Sequence, residues 1–123
     1  MRMARQFRGQ RNYLNGLAAE AQIARHYEHQ GYTIMAVRWR GQSGELDLVA
    51  CRAGEVVFVE VKSSKTHAGA TLMVTPQKLD RIMLAAAEFL GGLPDGELTP
   101  SRVDVASVDR QGAVEVVQNV IGH

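Results

Sequence analysis

Three acids and a lysine with the clearest capacity for chemistry fall in one short stretch, Gly44 to Lys62, GELDLVACRAGEVVFVEVK. Glu45 and Asp47 lie before Ala53-Gly54, and Glu60 and Lys62 lie after it. Carboxylates held together repel. They are tolerated when a proton is shared between them, when a cation lies alongside, or when a divalent metal binds both. Lys62 could be that cation. Which of these operates depends on whether the chain brings the acids to one place.

The elements that would do so are two strands and a tight turn. Side chains alternate across a strand, so odd and even positions separate. Leu46, Leu48 and Ala50 share one face of the first strand, and Glu45, Asp47, Val49 and Cys51 share the other. In the second strand Val57, Val59 and Val61 oppose Val56, Phe58, Glu60 and Lys62. Gly54 supplies the positive φ that a two-residue hairpin turn requires. Pairing Arg52 with Glu55 sets Cys51 against Val56, Val49 against Phe58, Asp47 against Glu60 and Glu45 against Lys62. Directly opposed residues have Cβ atoms roughly 4.5–5.5 Å apart. One end of this face is then acidic and its other end apolar, and a slip of one residue would undo the arrangement.

Asp47 followed on the neighbouring strand by Glu60-Val61-Lys62 resembles the D…(D/E)xK signature of restriction-endonuclease-like nucleases. The runs GELDLVA and VFVEVK resemble the YraN-like family of small bacterial proteins, which is assigned to that fold. The layout is also similar to that of archaeal Holliday-junction resolvases. Leu46 stands where many such nucleases have a proline before the Asp. The resemblance implies an α/β fold with a restriction-endonuclease-like core. It implies Mg²⁺ or Mn²⁺ as cofactor, with Asp47 and Glu60 as metal ligands, joined by the backbone carbonyl of Val61. Glu20 would be a direct or water-mediated ligand, because Gly16, Glu20 and Ala24 fit the family's G-x-x-A/G-E-x-x-A pattern. Glu45 would be a further ligand or the neutralising neighbour of Lys62. Lys62 would orient the attacking water or stabilise developing charge. The catalytic set is then Asp47, Glu60, Lys62 and Glu20.

The whole chain bounds the reading. Its 123 residues suit one domain with a real core. With 46% hydrophobic and 22% charged residues, it has the composition of a globular protein. The net charge of +1 gives no global basic field, but Arg2, Arg5, Arg8 and Arg11 crowd the first twelve residues without an acid. Residues 1–12 are expected to be a basic arm, either contacting phosphate or simply solvated, and 13–123 a single nuclease-like domain. One cysteine, Cys51, excludes an internal disulfide. No apolar run reaches the length of a membrane span, and the basic N-terminus lacks the apolar stretch of a signal peptide. A cytoplasmic location with no membrane partner follows as an expectation, and a homodimer stays open.

The remaining elements flank the hairpin. A helix is expected over 13–30, closed by Gly31, with Tyr13, Leu17, Glu20, Ala24 and Tyr27 on one stripe. Glu20 on that stripe needs a partner. The helix must cover the Val49/Phe58 end of the hairpin for Glu20 to meet the acids. Residues 32–39 read as a strand leading through Arg38, Trp39 and Arg40 to the flexible Gly41–Gly44. Thr75-Pro76 opens a second helix as N-cap and N1, with Leu79, Ile82, Met83, Ala86, Phe89 and Leu90 inward and Lys78 in its first turn. Two strands, 102–108 and 113–120, follow. Asp104, on the first of them, is expected to be structural or near the edge of the site. The order is α-β-β-β-α-β-β, a mixed central sheet flanked by helices. Arg8, Arg11, Arg38, Arg40, Lys65 and Lys78 are the candidate nucleic-acid contacts. His26, His29, His67 and His123 show no metal-ligand spacing. Two readings of function remain: a metal-dependent endonuclease acting on DNA, branched or flapped, or a non-catalytic nucleic-acid-binding or adaptor protein that kept the fold.

Overall fold

A computed structural model describes residues 17–63 and 74–121. The helix α1 occupies residues 17–29. It is followed by β1 (Thr33–Arg40), β2 (Glu45–Arg52), β3 (Glu55–Ser63), α2 (Pro76–Gly91), a 3₁₀ turn (Gly96–Leu98), β4 (Ser101–Val108) and β5 (Val114–Val117). The strands form one sheet in the order β1-β2-β3-β4-β5. All neighbours are antiparallel except β3 and β4, which are parallel. The result is a mixed α/β sheet with a helix on each face, in the element order the sequence implies. The arm at 1–12 and Lys65 lie outside the described residues.

Each helix ends where local chemistry requires. Gly31 takes φ +91° after α1. Its N–H donates to the Glu28 carbonyl, and the Tyr32 N–H donates to the Tyr27 carbonyl. This pair of bonds is the Schellman motif. The hydrophobic contact that accompanies it is made by the edge-to-face rings of Tyr27 and Tyr32, 5.2 Å apart. At the start of α2, Thr75 Oγ1 accepts the Lys78 N–H at 3.2 Å and Pro76 occupies the first turn.

Two cores lie on the two faces. Ala19, Ile23 and Tyr27 of α1 pack with Leu48, Ala50, Val57, Val59, Ala106 and Val108. Ile82, Ala85, Ala86 and Leu90 of α2 pack with Leu46, Val49, Val56, Phe58 and Val103. This corrects the expected placement of α1. The Val49/Phe58 face is covered by α2, the helix between the parallel strands β3 and β4, and α1 takes the other face. The inward stripe of α1 centres on Ala19, Ile23 and Tyr27, with Glu20 beside it. Met83, expected inward on α2, is exposed, and Ala85 takes its place.

The hairpin register is the expected one from Arg52↔Glu55 through Cys51↔Val56 to Val49↔Phe58. Ala53 and Gly54 both have positive φ, +52° and +81°, as a type I′ turn requires. The alternation then breaks. Leu46 joins Val49 in the α2 core, while Leu48 between them faces α1. On β1, Ala36 and Trp39 both face α2. The two strands change phase together where Arg38 adopts φ +52°. That conformation is costly for a residue with a Cβ.

Candidate carboxylate site

The phase change decides where Asp47 points. The β2–β3 pairing ends at Leu48↔Val59, and beyond it a side chain replaces the ladder. Asp47 Oδ2 accepts the Val61 N–H at 2.9 Å. Asp47 thereby reaches across to β3, where Glu60 precedes Val61. The two carboxylates interact directly, and burial together with the charge of Asp47 pushes Glu60 up to about 7. Lys78 opposes that shift. Its Nζ lies 3.6 Å from Glu60 Oε1, with the Glu60 side chain 13% exposed. The repulsion of the acids is eased by the raised proton affinity of Glu60 and by the Lys78 ammonium. Of the compensators open to the sequence, the raised proton affinity of Glu60 favours a proton there, and a lysine lies alongside it from α2.

Lys62 follows Glu60 on the same face of β3, since Val61 between them packs into the α1 core. It is half-buried and engaged in an interaction of its own. Glu20 is buried, and its Oε2 accepts Arg38 Nε at 2.8 Å. Its partner is thus the residue whose left-handed backbone shifts the phase of β1. Glu45 is exposed and pairs with Arg40 at 3.2 Å. The structure therefore brings together Asp47, Glu60, Val61 and Lys78, while Glu20 and Glu45 are held by arginines of β1. Among the described residues no three His, Cys, Asp or Glu side chains are grouped as a metal cage. Arg8, Arg11 and Lys65 lie outside the described residues.

The turn that delivers Asp47 is itself clamped. Glu88 of α2 accepts the N–H groups of Gln42 and Ser43 at 2.9 and 2.8 Å, and these bonds lower its pKa. Gly41 permits the approach, because a Cβ there would collide with Glu88 Oε2. Trp39 anchors the same corner edge-to-face on Phe89, centroids 5.4 Å apart. Trp39 is therefore an anchor at the edge of the α2 core.

Asp104, completely buried, is structural. It accepts from Tyr27 Oη at 2.7 Å, Arg102 Nε at 3.0 Å and the Asn119 N–H at 3.0 Å. Arg102 continues to Glu55 at 2.8 Å and the Tyr32 hydroxyl at 2.9 Å. This network ties α1, the hairpin turn, β4 and the segment after β5.

Sequence reasoning missed Lys78 as a partner of Glu60. Its position in the first helical turn, where a cation opposes the helix dipole, was the available signal, but no local pattern gives the helix–strand contact. It also passed over Ser107 and Glu115, which share the face of β4 and β5 beside Lys62.

The uncharacterised protein family UPF0102 matches residues 19–108, a span that includes Glu20, Asp47, Glu60, Lys62 and Lys78. A UPF0102 protein of Ruegeria pomeroyi is 51% identical over 116 residues, 94% of each chain. One of Cereibacter sphaeroides is 50% identical over 111 residues, 90% of this chain and 95% of its own. One of Roseobacter denitrificans is 48% identical over 118 residues, 96% of this chain and 92% of its own. With most of its length matched at this identity, the chain belongs to UPF0102, the YraN-like family that its hairpin motif resembles.

Proposed function

We propose that the protein is a metal-dependent endonuclease that hydrolyses DNA phosphodiester bonds, branched or flapped DNA included, on a restriction-endonuclease-like core. The observation that carries this reading is the direct interaction of the Asp47 and Glu60 carboxylates at the end of the β2–β3 ladder, with Glu60 pushed up to about 7. Two acids kept this close are unfavourable without a cation, and the resemblance to the D…(D/E)xK signature gives the pair a use.

The donor set fits Mg²⁺ or Mn²⁺. Mg²⁺ is commonly held by one or two carboxylates, with water and substrate phosphate completing its shell. Asp47 and Glu60 would be those carboxylates. The Val61 carbonyl would be a third oxygen, since a strand residue's N–H and C=O leave on the same side and its N–H already faces Asp47. When bound, the metal supplies a more acidic water and offsets charge on the phosphoryl group. Lys62 orients the attacking water or stabilises developing charge. Lys78, half-exposed at 48%, would be free to meet a phosphate oxygen once a bound cation had taken over its role at Glu60. Arg38 and Arg40 contact the nucleic-acid backbone. Glu20, held by Arg38, would serve a metal through water or after that pair opens.

The test is a cleavage screen over single-stranded, duplex, flapped and four-way-junction DNA, with Mg²⁺ or Mn²⁺ and with chelator. Cleavage that needs metal and is lost in Asp47→Asn supports the reading. DNA binding without cleavage of any substrate rejects it and leaves a nucleic-acid-binding or adaptor protein.

A further inference from the structure

We propose that Ser107 and Glu115 are positioning residues for Lys62, forming with it one polar row across β3, β4 and β5. The inference rests on the reading of Lys62 as a working group of the carboxylate site.

The register places the row. Lys62 pairs with Ser107 in the parallel β3–β4 ladder, and Ser107 pairs with Glu115 in the antiparallel β4–β5 ladder. All three face α2. Val61, Ala106 and Val116, one residue away on each strand, pack into the α1 core, and side chains alternate. Adjacent strands lie about 4.8 Å apart, so Lys62 and Glu115 flank Ser107 on its two sides. The next row on this face is Glu60, Val105 and Val117. There β4 and β5 carry only aliphatic residues. Polar residues on β4 and β5 thus appear in register with Lys62 and not in register with Glu60.

Ser107 supplies the independent observation. It is completely buried, and its Oγ has no hydrogen-bond partner in the described structure. An unsatisfied buried hydroxyl is unfavourable and calls for an explanation. A serine hydroxyl can donate once and accept twice, and rotation about χ1 redirects it. Its same-face neighbours along the row are a donor that cannot accept, Lys62, and an acceptor, Glu115. One rotamer change lets Ser107 accept from Lys62 and another lets it donate to Glu115. Glu115, two strands from Lys62, supplies the negative charge that draws the ammonium across β4. Lys62 and Glu115 each already make interactions of their own, so the row adds to a partnered lysine.

The test uses the full-length, metal-free protein with ¹⁵N-labelled lysine. The solvent exchange of the Lys62 ammonium protons is measured in wild type, Ser107→Ala, Ser107→Thr and Glu115→Gln. Exchange should accelerate roughly tenfold or more in Ser107→Ala and in Glu115→Gln, the scale on which outer hydrogen-bond partners act. Ser107→Thr, which keeps the hydroxyl, should stay near wild type. The melting temperature of Ser107→Ala should change little beside the change in exchange, because in the ground structure the hydroxyl makes no bond that its removal would break. Unchanged exchange in both Ser107→Ala and Glu115→Gln overturns the inference. The cleavage assay then separates the two readings. If wild type cuts DNA, both variants should lose kcat roughly tenfold with KM unchanged. A protein that cuts nothing yet shows accelerated exchange keeps the polar row and loses the nuclease reading. A protein that cuts DNA, with exchange and kcat indifferent to both variants, keeps the nuclease reading and loses the row.

Discussion

Asp47 Oδ2 takes the Val61 N–H at 2.9 Å, at the point where the β2–β3 ladder stops. The carboxylate therefore does two things at once. It finishes the backbone pairing of β3, and it sits against Glu60, whose hold on a proton it strengthens. Two substitutions separate these roles. Asp47→Asn keeps an oxygen that can accept the Val61 N–H and removes the charge. Asp47→Ala leaves that partly buried N–H without its acceptor. The alanine variant should lose about 1–3 kcal/mol in denaturant unfolding, while the asparagine variant should match or exceed wild type. Calorimetric titration with Mn²⁺ should show binding lost in both. An asparagine variant less stable than the alanine variant would contradict this division of roles.

Glu60 makes stability depend on pH. Its folded value of about 7 lies above its ordinary 4.5, so the folded protein holds this proton more tightly than the unfolded chain. The stabilisation is complete below about 4.5 and is lost as pH rises through about 7. The metal-free protein should therefore be less stable at pH 8 than at pH 5. The difference from this group is about 1–3 kcal/mol, reduced by its residual contact with solvent. Asp47→Asn should flatten part of that dependence, because burial is the larger cause of the raised value and the charge of Asp47 the next. Equal slopes in wild type and variant would place the cause in burial alone.

Lys78 is the counterweight. Its ammonium lowers the pKa of Glu60, so Lys78→Gln should move the Glu60 titration upward, read from ¹³C carboxyl shifts. The contact of Lys78 with Glu60 should also depend on metal. Saturating Mg²⁺ should displace Lys78 from Glu60, and the Lys78→Gln variant should then bind metal at least as well as wild type. Weaker metal binding in that variant would mean that Lys78 organises the pair rather than substituting for a cation.

What could be read from the sequence was local. Ala53-Gly54 fixed the hairpin register because a two-residue primed turn allows few alternatives. Thr75, Pro76 and Gly31 marked helix ends through side-chain and backbone requirements confined to a few residues. The periodicity of α1 identified an inward stripe but not which face of the sheet receives it, and the expected side was wrong. That choice belongs to the β3-α2-β4 crossover, whose helix covers the Val49/Phe58 face. The phase change at Arg38 was invisible for a different reason. A positive φ at a glycine is anticipated, whereas at an arginine it is imposed by the surroundings. The partners of Glu20 and Glu60, 18 residues away in each case, come from neighbouring elements rather than from the hairpin.

The Glu20–Arg38 pair gives the last prediction, in which two effects oppose each other. Arg38→Gly should relieve the left-handed backbone, worth about 1–2 kcal/mol. It also removes the guanidinium from Glu20, whose side chain is only 9% exposed. Stranding a buried carboxylate costs about 3–5 kcal/mol in a fully buried pair, and less here because Arg38 is 32% exposed. The loss should still exceed the gain, and Arg38→Gly should lower stability. Glu20→Gln in the same background removes the stranded charge and lets the backbone gain emerge. The double variant should then be more stable than Arg38→Gly alone, with a coupling energy of about 1–3 kcal/mol in a double-mutant cycle of denaturant unfolding. Additive effects would show that Glu20 and Arg38 do not stabilise each other, and would free Glu20 to serve the metal directly.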